Sequence, residues 1–274
     1  MRKFSIVKFL IFSVLIVSLA SCGESDVEQE GDIASTNSQV TSDEVFAEAV
    51  FDGVDFSIES AQAGQREAAD PCLDYSLSGS EGVLDLTLDF GSEPCEGADG
   101  VTRQGKILVT ITGGEKLEAA NSKTVITFDN FFVDGHKVEG IRTIENLGFE
   151  EGTLVLKQKI TMTDGKITLS DGRTITRNAT WDKTWDILNG IHNLEGSASG
   201  KTRQDITYQS EVTETIVRKR ECFLEGIYYP VQGKKTIAAS NGTATVVRVV
   251  DFGDGTCDKK VVVTINGEDT ELEL

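Results

Sequence analysis

Apolar and polar positions alternate along most of this chain. In "LDLTLDF", Leu84, Leu86, Leu88 and Phe90 fall on one face and Asp85, Thr87 and Asp89 on the other, the two-residue period of a strand with one buried face. "KILVTIT", "KTVITF" and "TLVLKQKITM" repeat the pattern. Between such runs stand Asp134-Gly135, Asp164-Gly165, Asp171-Gly172, Asn241-Gly242 and Asn266-Gly267, dipeptides that accept positive φ and suit tight hairpins. No long helical period separates the runs, so parallel crossovers are not expected. The pattern predicts an all-β, antiparallel meander of many strands, built as a twisted sheet, a sandwich or an open barrel. "RTITRNATWDKTWD" and "KTRQDITYQSEVTETIVRKRE" are long and largely polar, which suggests edge strands or a broad sheet with one or both faces wet.

The first residues read differently. Arg2, Lys3 and Lys8 precede an apolar run from Phe9 to Ala20, only about 12 residues where a bilayer span needs about 20. That is the layout of a secretory signal, residues 1–21. "LASC", Leu19 to Cys22, resembles a bacterial lipobox, which implies cleavage before Cys22 and its lipidation, enough acyl chain for stable membrane anchoring. Residues 22–50 are acidic and polar at first, without Lys or Arg, and read as a lipidated flexible tether. Within it "SDEVFAEAV" suggests one or two helical turns capped by Ser42 or Asp43. The β domain is expected over 51–274.

The net charge is −19, and loss of Arg2, Lys3 and Lys8 would deepen it by three. Such a surface repels nucleic acid and anionic lipid, which excludes basic-patch functions.

After Cys22 the cysteines are Cys72, Cys95, Cys222 and Cys257, an even set that in an exported chain predicts two disulfides. Their pairing follows from a repeat. "LDLTLDFGSEPC" and "VVRVVDFGDGTC" carry Asp-Phe-Gly and Cys at one spacing, and "KILVTITG" from Lys106 corresponds to "KVVVTING" from Lys260, a duplicated hairpin. Each copy has one cysteine upstream, which favours Cys72 with Cys95 and Cys222 with Cys257 over crossed pairings. The repeat also weighs the motifs in "VVDFGDGTCDKK". A kinase magnesium loop lacks its glycine-rich loop, strand lysine and catalytic His-Arg-Asp. A polycystic-kidney-disease-type adhesion domain would continue differently after Gly255. A calcium loop needs oxygens at alternating positions and a terminal Glu, so a strand-end turn is the plainer reading.

"RECFLEGIYYPVQGKKTI", "GIRTIENLG" and "ITLSDGRTITRNATWDKTW", with the lipobox and the Asp-Phe-Gly-to-Cys spacing, resemble uncharacterised exported lipoproteins of Bacteroidota. The acidic "GESDVEQEGD" resembles the surface-export signals of that group, without their usual Lys, and the Asp that retains proteobacterial lipoproteins at the inner membrane is absent after Cys22. The resemblance implies an outer-membrane lipoprotein, facing the periplasm or the cell surface, and β structure. It implies no chemistry.

Candidate chemistry is sparse. His136, in "VDGHKVEG", and His192, in "NGIHNLEG", are the two histidines and read as exposed loop residues without metal-ligand spacing. No Gly-x-Ser-x-Gly elbow is present, and in a chain with 45 acidic residues a carboxylate pair is expected by chance. Trp181 and Trp185 share a strand face and offer either a ligand-stacking platform or two core anchors. The expectation is a non-enzymatic, lipid-anchored envelope protein without cofactor, binding a protein, glycan or small apolar ligand or serving structurally. Two alternatives compete: a periplasmic carrier of an apolar ligand, and an envelope hydrolase.

Overall fold

A computed structural model describes residues 37–62, 72–80, 82–114 and 119–274. The signal segment, Cys22 and the tether up to residue 36 lie outside the described residues. A helix, α1 (Asn37–Gln62), precedes the strands β1 (Asp74–Ser80), β2 (Val83–Asp89), β3 (Cys95–Glu96), β4 (Thr102–Thr112), β5 (Lys123–Val133), β6 (His136–Phe149), β7 (Val155–Thr168), β8 (Thr174–Asp186), β9 (Ile191–Lys201) and β10 (Thr207–Lys219). A one-turn helix, α2 (Arg220–Phe223), leads to β11 (Gln232–Ser240), β12 (Thr245–Asp254), β13 (Lys260–Ile265) and β14 (Glu268–Glu273).

These strands form one antiparallel sheet in chain order. β3 is a side strand on β4, and β2 pairs directly with β4. The meander follows from the turn residues. Asp134, Asp164 and Asn266 take φ of 49°, 51° and 53°, the left-handed conformation that Asp and Asn tolerate. The two polar stretches are neither edges nor wet on both faces: β8 lies between β7 and β9, β10 between β9 and β11, and one face of each is largely buried.

What buries that face is α1. The helix includes residues 37–50, assigned from sequence to the tether, and it starts ahead of Ser42 and Asp43, the expected caps. Its 26 residues span about 39 Å at 1.5 Å per residue. Val45, Phe51, Val54 and Ile58 are each no more than 2% exposed, and they share one apolar core with strand residues from Leu86 through Phe131, Ile160 and Ile237 to Val263. A helix apolar on most of its circumference has to be surrounded, and the sheet supplies the surroundings.

Small residues make room inside. Gly196 on β9 has φ of 143°, and a Cβ there would stand 2.2 Å from the Thr180 carbonyl oxygen and 3.0 Å from Trp181 Cε3. The indole of Trp181 occupies the space that a side chain would need.

Both disulfides pair locally, Cys72 with Cys95 and Cys222 with Cys257. The two Asp-Phe-Gly turns have the same local geometry. Asp89 Oδ1 accepts the Gly91 N–H and Asp251 Oδ1 accepts the Gly253 N–H, each at 2.9 Å, while Phe90 and Phe252 point into the core. Their strand registers differ. Asp89 stands opposite Lys106, which it meets at 2.6 Å, whereas Asp251 stands opposite Val262, two residues past Lys260. Asp254 and Asp258, the extra acids of the calcium reading, accept hydrogen bonds from Thr256 and Lys260 within the turn.

Candidate functional site

The helix carries its acids in one line. Glu44, Glu48, Asp52, Asp55 and Glu59 are spaced four, four, three and four apart, which at about 100° per residue confines them to an arc of about 80°. Facing them, Arg142, Arg177, Lys183, Arg218 and Lys235 project from β6, β8, β10 and β11 on the same strand faces as core residues such as Ile144, Ile175 and Ile237. Five carboxylates and five cations therefore meet in the interior.

The contacts are dense. Arg177 binds Glu44 and Glu48, both at 2.8 Å. Lys235 reaches Glu44 at 2.6 Å and Glu48 at 2.9 Å, and Arg218 joins Glu48 to Asp52. Arg142 grips Asp55 through Nε at 2.8 Å and a terminal nitrogen at 2.7 Å, and Lys183 meets Glu59 at 3.2 Å. One residue before Glu44, Asp43 accepts from the Arg203 Nε at 2.6 Å and from its backbone N–H at 2.9 Å.

Burial alone would neutralise these acids, and the cations decide which stay charged. Burial pushes Glu48 upward, but Lys235, Arg218 and Arg177 together hold it far below the ordinary carboxylate range. Glu44 is likewise raised by burial and lowered, on balance, by Lys235 and Arg177. Burial prevails at Asp52, where Arg218 and Arg142 oppose it and Glu48 and Asp55 add to it, and at Glu59, whose main counter-charge is Lys183. Both are raised. The array holds the helix in register with the sheet, because sliding by one residue would separate several buried charges from their partners.

The residues singled out from sequence take structural places. Trp181 and Trp185 are 2% and 7% exposed, with Arg177 and Lys183 over their rings at 5.7 and 5.6 Å, so neither offers a free stacking face. His192 is not a loop residue: it lies on β9, 4% exposed, between the rings of Trp185 and Phe223 at 5.4 and 5.5 Å. Burial first, then Lys183, Arg218 and Arg220, push its pKa well down, so the imidazole is neutral. His136 opens β6, half-buried, with Nδ1 accepting the Ser170 N–H at 3.3 Å and its ring edge-on to Phe46. Among the described residues one cluster of potential metal donors occurs, Glu221 with Cys222 and Cys257, and its two sulfurs form a disulfide.

The outer face of the sheet is of another character. One cross-strand row runs Thr143, Thr161, Thr180, Ser197, Glu211, Thr236 over β6 to β11, each residue opposite the next. A second row runs Asn178, Ser199, Gln209, Ala238. From Thr161 onward they floor a trough of 590 Å³. Neighbouring strands lie about 4.8 Å apart and same-face residues about 7 Å apart, so hydroxyls and amides form a regular grid of donors and acceptors.

No protein-family model, curated protein or solved structure matches this chain. The array and the trough therefore stand on their geometry.

The acidic stripe had a sequence signal. Acids at 44, 48, 52, 55 and 59 hold a helical period, and Arg177 and Lys183 share strand parity with Ile175, Trp181 and Trp185. Either pattern alone describes a solvated face; only together do they describe a buried one.

Proposed function

We propose that this chain is a non-enzymatic, lipid-anchored protein of the cell envelope, exposed at the outer membrane or cell surface, that binds a neutral polyhydroxylated chain, a glycan, along the outer trough of β7 to β11. The observation that carries the reading is that trough. Its polar side chains are hydroxyls and amides with Glu211 as the one carboxylate, groups that donate to and accept from sugar hydroxyls, and Met162, Ala179, Ala198 and Ala238 complete the lining. The apolar residues of α1 pack on the inner face of the sheet, where a large carried apolar ligand would otherwise lie. His192 is enclosed and His136 is engaged by Ser170, so neither histidine lies in the trough. The lipobox at Cys22 and the acidic segment behind it support the location.

The test has two parts. Protein purified without its lipid is passed over insoluble neutral polysaccharides, beside a variant in which Thr180→Arg and Ser197→Arg fill the trough from the solvent side. Retention of the parent and loss in the variant at unchanged melting temperature is expected; equal retention, or none, overturns the trough. Intact cells are then treated with protease and probed with an antibody to the domain. Digestion without lysis places the binding partner outside the cell, protection places it in the periplasm, and release of the unlabelled protein in soluble form overturns the anchor.

A further inference from the structure

A second concavity lies where the loop after α2 approaches the loop between β3 and β4. It encloses 200 Å³ against the middle of α1 and is independent of the outer trough. Four rings line it: Phe46 from the helix and Tyr229 from the loop before β11, both half-buried, with the buried Phe131 of β5 and Tyr228 of the same loop behind them. Phe131 and Tyr228 are fixed in place. Phe131 stacks on Phe128 at 5.7 Å with a 17° interplanar angle, and the Tyr228 hydroxyl donates to Asp99 while accepting from Arg103 at 3.1 Å. The Tyr228 ring also packs against Phe56 and Phe223 at 5.8 and 5.5 Å.

The charges at the rim follow from the same contacts. Asp99 is matched by Arg103, whose two terminal nitrogens donate to it at 3.0 and 2.6 Å. Asp134 and Glu225 remain against Lys259, so the lining carries one net negative charge. Asp134 uses Oδ1 to accept the Thr102 N–H at 2.9 Å, which fixes its carboxylate beside the cavity.

We propose that this cavity is a binding site for a small organic cation, an alkylammonium group of the trimethylammonium kind. Ring faces attract such a cation through their quadrupoles, most strongly where water is excluded. A metal ion is a poor occupant, because rings supply none of the oxygens that it requires. An organic anion is opposed by Asp134, Glu225 and the net charge of −19. Size agrees: a cavity of about 150 Å³ accepts benzene, so 200 Å³ accommodates a tetrahedral ammonium head with a short substituent.

The probes are choline and its uncharged isostere 3,3-dimethylbutan-1-ol, titrated into the full mature domain by calorimetry and by NMR of the tyrosine rings. Choline is expected to bind saturably and at least tenfold more tightly than the isostere. Asp134→Asn keeps the turn, since Asn tolerates its positive φ and retains an acceptor for Thr102, and is expected to weaken choline at least fivefold. Tyr229→Leu, at a half-buried position, is expected to weaken it similarly, with the melting temperature of each variant confirming the fold. Equal or tighter binding of the isostere would show a plain apolar cavity and overturn the assignment. So would an absence of saturable binding, or choline binding indifferent to both substitutions.

Discussion

Lys235 on β11 donates to Glu48 on α1 at 2.9 Å across 187 residues of sequence, and neither side chain is more than 3% exposed. The last third of the chain thus holds the first helix through a contact that water barely reaches. Glu48 also meets Arg177 and Arg218, so one carboxylate is shared by three cations.

Glu48→Ala leaves those cations partly uncompensated in the interior. A loss of about 3–5 kcal/mol is expected, the magnitude typical of breaking a buried pair from one side. Urea denaturation followed by tryptophan fluorescence measures it, and a loss below about 1 kcal/mol would mean that water enters to solvate the array.

The array predicts an asymmetric response to acid. Asp52 and Glu59 are raised in the folded state, so as pH falls toward their unfolded values the native protein binds protons first and its stability holds or rises. Glu44 and Glu48 are lowered from 4.5, so their contribution is complete above that pH and is lost below it, as the unfolded chain takes up protons that the native chain refuses. Denaturation midpoints measured from neutral pH downward should stay level to about pH 4.5 and then drop steeply. Glu48→Gln should flatten the drop.

Reduction should proceed in order. Cys222 is 0% exposed and only its partner Cys257 is half-buried, whereas Cys72 and Cys95 are both partly open to solvent. Mild reductant followed by alkylation and mass spectrometry should label Cys72 and Cys95 before Cys222 and Cys257. The bridges close sequence separations of 23 and 35 residues, so each is worth about 3–4 kcal/mol in the chain-entropy account.

Gly196→Ala should destabilise by about 1–3 kcal/mol, because the added methyl group overpacks the contact with Thr180 and Trp181. Thermal melting reads the loss, and near-ultraviolet circular dichroism should show the Trp181 environment changed. Gly242→Ala is the control for positive φ alone: it shares that conformation, with φ of 92°, but has nothing within 4 Å of the new atom.

Strand alternation and Asp-Gly or Asn-Gly turns determine an antiparallel meander from sequence alone, because period and turn conformation are local properties of the backbone. The repeat of Asp-Phe-Gly and cysteine was enough to pair the disulfides, since each closes a short loop. The tertiary structure decided what fills the sheet. Residues 37–50 read as part of a solvated tether because they continue a polar, acidic stretch rich in Ser, Thr and Gln, whose acids signal water. The cations that reverse that meaning, Arg142, Arg177, Lys183, Arg218 and Lys235, are supplied by strands far along the chain. A charge in a sequence carries no mark of its burial; the partner that makes burial affordable is brought to it only by the fold.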